Sequence, residues 1–70
     1  MKPIKNYIAE QFLNNTYHFI CDCIVPLDVI GTVKDYEITG NEIVLIVSVS
    51  NRIFHIGLNT SSLQIEALKQ

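Results

Sequence analysis

VIGTVKDYEITGNEIVLIV, residues Val29 to Val47, reads as two β-strands joined by a polar corner. Strand residues two apart share a face, so Val29, Gly31 and Val33 line one side of the first strand and Ile43, Leu45 and Val47 one side of the second. Glycine weakens a strand interior, and Gly31 in the middle of the first strand therefore marks a sharp bend or a close approach by another backbone. Gly40 and Asn41 accept the backbone angles a tight corner demands. A small, strongly bent barrel needs a glycine such as Gly31.

Working outward, the strand that starts at Glu42 is apolar on both faces, with Val44 and Ile46 opposite Ile43, Leu45 and Val47. That pattern belongs inside a sheet, and the N-terminal segment is the most economical cover for its second face. Residues 1–15 predict an amphipathic helix. Pro3 suits its start; Ile4, Tyr7, Ile8 and Phe12 recur at helical spacing, with Lys2, Lys5, Asn6, Glu10 and Asn14 toward water; and Asn14 and Asn15 end it. Thr16 to Val25 alternates as a first strand with Tyr17, Phe19, Cys21 and Cys23 on the buried face. Arg52 to Leu58 is a fourth strand, with Phe54, Ile56 and Leu58 against Ile53, His55 and Gly57. Leu63 to Leu68 is a short fifth strand of edge type.

The residues around the corner carry a resemblance. Gly31, Val33, Tyr36, Glu37 and Asn41 stand at the offsets of glycine, aliphatic, aromatic, acid and asparagine in the first motif of the Sm, LSm and Hfq family, and the chain resembles that family in its order of elements. The resemblance implies a mostly β fold, an N-terminal α-helix followed by a five-stranded, strongly bent antiparallel small barrel of Sm-like or SH3-like type. It forms one domain over residues 1–70, with the helix at 1–15 and the barrel at 16–68. It further implies a homo-oligomeric ring of five to seven subunits, closed by pairing of the fourth strand with the fifth of the next subunit, and single-stranded RNA as partner. By position, Asn41 would hydrogen-bond a base, with Thr39, Glu37, Gly57 and Asn59 lining the same pocket. The family's second motif ends in arginine and glycine; here Gly57 fits, but Ile56 replaces the arginine, and Thr39 cannot stack on a base as an aromatic ring does.

Composition narrows the function classes. A chain of 70 residues buries roughly 60 % of its unfolded surface, which leaves a marginal core that oligomerisation commonly supplements. A hydrophobic share of 49 % points the same way, to apolar area covered by a partner. The formal charge of −2 argues against a broad electrostatic grip on phosphates but leaves room for a local base site. No apolar run reaches the ~20 residues of a membrane-spanning helix and the N-terminus has no signal-peptide core, so the expectation is a cytoplasmic protein without a membrane partner.

Cys21 and Cys23 would lie roughly 6.5 Å apart at Cα in an extended strand, near the upper limit for a disulfide, so the expectation is buried, reduced cysteines. His18 lies on the opposite face of that strand. No nucleophile and base, metal-ligand set or phosphate loop is present in the sequence, which predicts no enzyme activity, no cofactor, no metal and no small-molecule substrate. A second reading, an SH3-like small barrel acting as a protein-interaction or assembly module without RNA binding, accounts for the missing arginine and the acidic charge.

Overall fold

In a computed structural model that describes residues 3–22, 26–60 and 62–68, one helix precedes five strands: α1 (Ile4–Glu10), β1 (Thr16–Cys21), β2 (Leu27–Thr39), β3 (Glu42–Val49), β4 (Arg52–Gly57) and β5 (Leu63–Ala67). The strands form one antiparallel sheet in the order β4-β3-β2-β1-β5. Among the described residues β4 and β5 do not pair, so the sheet curls without closing and keeps two edges.

β2 is the spine of this sheet. Its first half pairs with β1 from Leu27 to Thr32, and its second half pairs with β3 from Thr32 to Thr39. The register shifts between Val33 and Asp35. This bulge gives Lys34 and Asp35 both to the exposed side, so inward positions change from Val29, Gly31 and Val33 to Tyr36. Gly31 is buried, and a Cβ built on it would meet Val47 Cγ1 at 2.5 Å, Val49 Cγ2 at 2.7 Å and the Ser48 carbonyl oxygen at 2.8 Å. The close approach expected at this glycine is therefore made by β3.

The core sits inside the curl. Phe19, Val33, Leu45 and Val47 are fully buried, and Ala9, Ile43 and Ile56 join them. Burying each large apolar side chain stabilises the fold by ~1.5–3 kcal/mol. The alternation expected for β3 and β4 holds, with Ile43, Leu45, Val47 and Ile56 inward and Val44, Ile46 and His55 outward.

The helix departs from expectation in length and in the face it buries. Its α-helical part stops at Glu10, turns continue, and Asn14 takes φ 64°. The Asn14 N–H donates to the Val33 carbonyl at 2.8 Å and the Val33 N–H donates to the Asn15 carbonyl at 3.0 Å. These two bonds tie the end of the helical segment to β2 at its bulge. The buried contact is made by Ala9, with Phe12 and Leu13 half-buried, whereas Ile4, Tyr7 and Ile8 are exposed at 74 %, 51 % and 45 %. Asn6 and Glu10, expected in water, instead reach Tyr36: Asn6 Nδ2 donates to the Tyr36 hydroxyl at 3.0 Å, and that hydroxyl donates to Glu10 Oε2 at 3.1 Å. The helix is thus rolled so that a small residue and two polar ones meet the sheet. It covers the inner face of β2 and β3, not the outer face of β3, where Val44 and Ile46 are flanked by their cross-strand neighbours.

Phe12, Tyr17 and Phe19 continue the core toward β1. Ring centroids lie 5.4 Å apart between Phe12 and Tyr17 and 6.0 Å apart between Tyr17 and Phe19, both tilted or edge-on. Such pairs contribute ~0.5–1.5 kcal/mol beyond their burial. β1 ends at Cys21, which is disulfide-bonded. That corrects the expectation of reduced cysteines: the extended-strand separation behind it applies no further than the end of β1. Cys23, the partner half of the C-x-C pair, lies outside the described residues, as do the expected strand positions Ile24 and Val25 and the expected solvated Lys2.

Candidate nucleic-acid interface

Two turns meet at one end of the sheet. β2 and β3 are joined through Gly40, at φ 58°, and Asn41. β4 runs out at Gly57, after which the Leu58 N–H still donates to the Ile43 carbonyl at 2.8 Å and the Thr60 N–H donates to the Gly57 carbonyl at 3.1 Å. The turns touch directly, because Asn59 Nδ2 donates to the Asn41 carbonyl oxygen at 3.3 Å. Asn41 and Asn59 are exposed. The residues expected to form one site are therefore partly gathered.

Glu37 and Thr39 stand differently from expectation. Both belong to β2 rather than to the corner, since β2 runs on to Thr39, with Glu37 paired to Val44 and Thr39 to Glu42. Val44 in turn pairs with Gly57, which puts Glu37, Val44 and Gly57 in one cross-strand row. Gly57 also has a seat-like role: the carboxylate of Glu42 lies against it, with Oε2, Cδ and Oε1 at 2.8, 3.0 and 3.3 Å from the position of a Cβ on this glycine.

Two residues of this corner were not among the expected site residues. Lys5, expected on a solvated helix face, donates through Nζ to Asn41 Oδ1 at 3.1 Å. Glu42, half-buried at the start of β3, lays its carboxylate over Gly57. The roll of the helix that places Lys5 follows from Ala9 entering the core, and no periodicity of large apolar residues announces it. Glu42 follows Asn41 directly in sequence, and a glycine on the facing strand is the only sequence signal that its side chain has room to lie flat.

Ile56, at the chain position of the family's arginine, is buried in the core. It lies on the inward face of β4, so no cation or planar group projects from that position.

A second polar cluster lies across β1, β2 and β5. His18 Nε2 is 2.5 Å from Asp28 Oδ1, and its Nδ1 is 4.0 Å from Glu66 Oε1. His18 pairs directly with Glu66 in the register of β1 and β5. The imidazole thus links three strands on the outer face. Among the described residues no group of three His, Cys, Asp or Glu side chains could hold a metal ion, and no helix is long and apolar enough to cross a membrane.

Compared with protein-family models, with curated proteins and with solved structures, the chain finds no match.

Proposed function

We propose that the chain is the subunit of a cytoplasmic, homo-oligomeric, Sm-like ring that takes single-stranded RNA at the corner of Asn41 and Asn59. The observation that carries this reading is the pair of unpaired sheet edges, β4 and β5, at opposite ends of one strand order. An exposed edge is a template for further pairing, and proteins either blunt it or use it. Joining β4 of one copy to β5 of the next is a heterologous contact, and repeated around an axis it closes a ring.

The side chains support that join. Phe54 on β4, and Leu63 and Ile65 on β5, face the core side yet are only half-buried in the single subunit. Pairing of the two edges would place these apolar residues against each other and complete a core that is otherwise open at both ends. Ile53, exposed at 59 % on β4, would gain cover on the outer face.

RNA recognition rests on the corner itself. Asn41, Asn59 and Lys5 gather donors and acceptors within hydrogen-bond reach of one another, and repetition around a ring would present one such corner per subunit. With Ile56 in place of an arginine and no aromatic residue at Thr39, each base forgoes roughly 1–3 kcal/mol of stacking, so binding is weak for each subunit and depends on repetition. The alternative, an assembly module without RNA binding, is favoured by the same buried Ile56 and by the net charge of −2. Mass in solution together with titration of short single-stranded RNA at two salt concentrations tests the proposal. A ring that binds RNA more tightly at low salt is expected; a ring that binds none selects the alternative.

A further inference from the structure

We infer that Lys5 and Asn41 form a seat for a phosphate of the RNA backbone, so that the corner holds a single strand by its phosphates more than by its bases. The inference rests on the RNA-binding reading above. Its starting point is the bond that Lys5 Nζ donates to Asn41 Oδ1 at 3.1 Å, an exposed contact that joins the helix to the turn between β2 and β3.

The hydrogen-bonding inventory decides what such a pair can take. A lysine ammonium has three N–H donors and no acceptor, and one of its donors goes to Asn41. That bond engages Oδ1, the acceptor of the asparagine amide, and leaves the amide N–H donors. The Asn41 backbone carbonyl is engaged as well, by Asn59 Nδ2 at 3.3 Å. What the two side chains offer a ligand is therefore donors, grouped around one positive charge.

A phosphodiester is the complement. Its non-bridging oxygens only accept, they carry the charge, and bonds between ionised partners are about twice as strong as neutral ones. A base edge fits less well, because its carbonyls are neutral and every base sets an N–H beside its acceptors, which finds no acceptor on this pair. The carboxylates near the corner are placed elsewhere. Glu42 lies over Gly57, Glu37 belongs to the cross-strand row of Val44 and Gly57, and Glu10 accepts from the Tyr36 hydroxyl. Phosphate contacts position a strand without reading its sequence, so the corner should bind different tracts alike.

The test is fluorescence anisotropy with short labelled uridine and adenosine tracts over a series of potassium chloride concentrations. The proteins are the wild type, Lys5→Gln, Lys5→Arg and Lys34→Gln. Glutamine at position 5 keeps a donor for Asn41 and removes the charge. For single strands, log affinity falls against log salt with a slope of about 0.7 for each phosphate neutralised. Lys5→Gln is expected to flatten the slope by ~0.7 for each subunit the strand engages, and to weaken both tracts about tenfold at low salt. Lys5→Arg should restore the slope, and Lys34→Gln should keep it. The wild type should bind the two tracts within about threefold of each other. A strand of uncharged methylphosphonate linkages should bind the wild type and Lys5→Gln equally, because the lysine has lost its partner. Inorganic phosphate at matched ionic strength should not displace the RNA, which offers a phosphate to each subunit at once.

A Lys5→Gln variant that keeps the wild-type slope, or that loses affinity for the methylphosphonate strand as well, overturns the inference and leaves the RNA-binding reading standing. Tracts that differ by more than the expected factor do the same. Displacement by inorganic phosphate overturns the inference in favour of a free anion. Failure of both tracts to bind at low salt overturns both readings.

Discussion

Cγ1 of Val47 lies 2.5 Å from the point at which a Cβ on Gly31 would stand. The strands β2 and β3 can curl this tightly only because position 31 has no side chain. Gly31→Val should therefore force β3 outward or displace Val47 and Val49, a cost of about 1–3 kcal/mol. In a domain of this size that corresponds to a fall in melting temperature of about 4–8 °C per kcal/mol. A variant melting with the parent in a calorimeter would mean that the curl is made elsewhere.

Tyr36 holds the helix to the sheet through its hydroxyl, which accepts from Asn6 and donates to Glu10. Tyr36→Phe keeps the ring and removes both bonds. Net contributions of such bonds are ~0.5–1.5 kcal/mol each. Urea denaturation should show a loss of about 1–2 kcal/mol, and hydrogen exchange should rise in α1 before it rises in β3. Unaltered protection in α1 would show that Ala9 and Phe12 suffice to dock the helix.

Much of this was legible in the sequence, and the reasons are particular. Period-two alternation at Ile43, Leu45 and Val47 survives into the structure because those residues face a core that excludes water. Gly31 announced the close approach because glycine in a strand has few other uses. The bulge at Lys34 was less visible, although two successive polar residues between Val33 and Tyr36 are what a one-residue insertion leaves behind. The helix packs differently from its apolar periodicity for a physical reason. Large apolar residues at Ile4, Tyr7 and Ile8 dominate the periodicity, yet the helix meets the sheet through the buried Ala9 and through Asn6 and Glu10 at Tyr36. That roll carried Lys5 to Asn41, so the composition of the corner could not be read before the packing of the helix was known.

The proposed assembly uses β5 twice, once toward β1 and once toward a neighbouring copy. Successive N–H groups of a strand point to opposite sides. Of the two variants Ile65→Pro and Glu66→Pro, one therefore loses a bond to β1, and the other loses the donor offered to the neighbour. The expected outcome is that both lose assembly by light scattering while only the first also loses several degrees of melting temperature. Two variants that stay fully assembled would show that subunits meet away from β5.

Asn41→Ala removes the side chain that accepts from Lys5 of the helix, at the residue whose backbone carbonyl accepts from Asn59. If the corner takes RNA, this variant should bind short single strands about tenfold more weakly. Lys34→Ala, at an exposed position on the β2 bulge, should change affinity less than threefold, the scale of one screened phosphate contact at moderate salt. Equal losses in the two variants would move the RNA away from the corner.

In the proposed ring, copies of this chain join β4 to β5 and close. Native mass spectrometry on the unmodified protein tests it most directly. One dominant closed species of five to seven subunits that persists on dilution is expected, because a ring must break two interfaces to release a subunit. A monomer, or a dimer that dissociates on dilution, would contradict it.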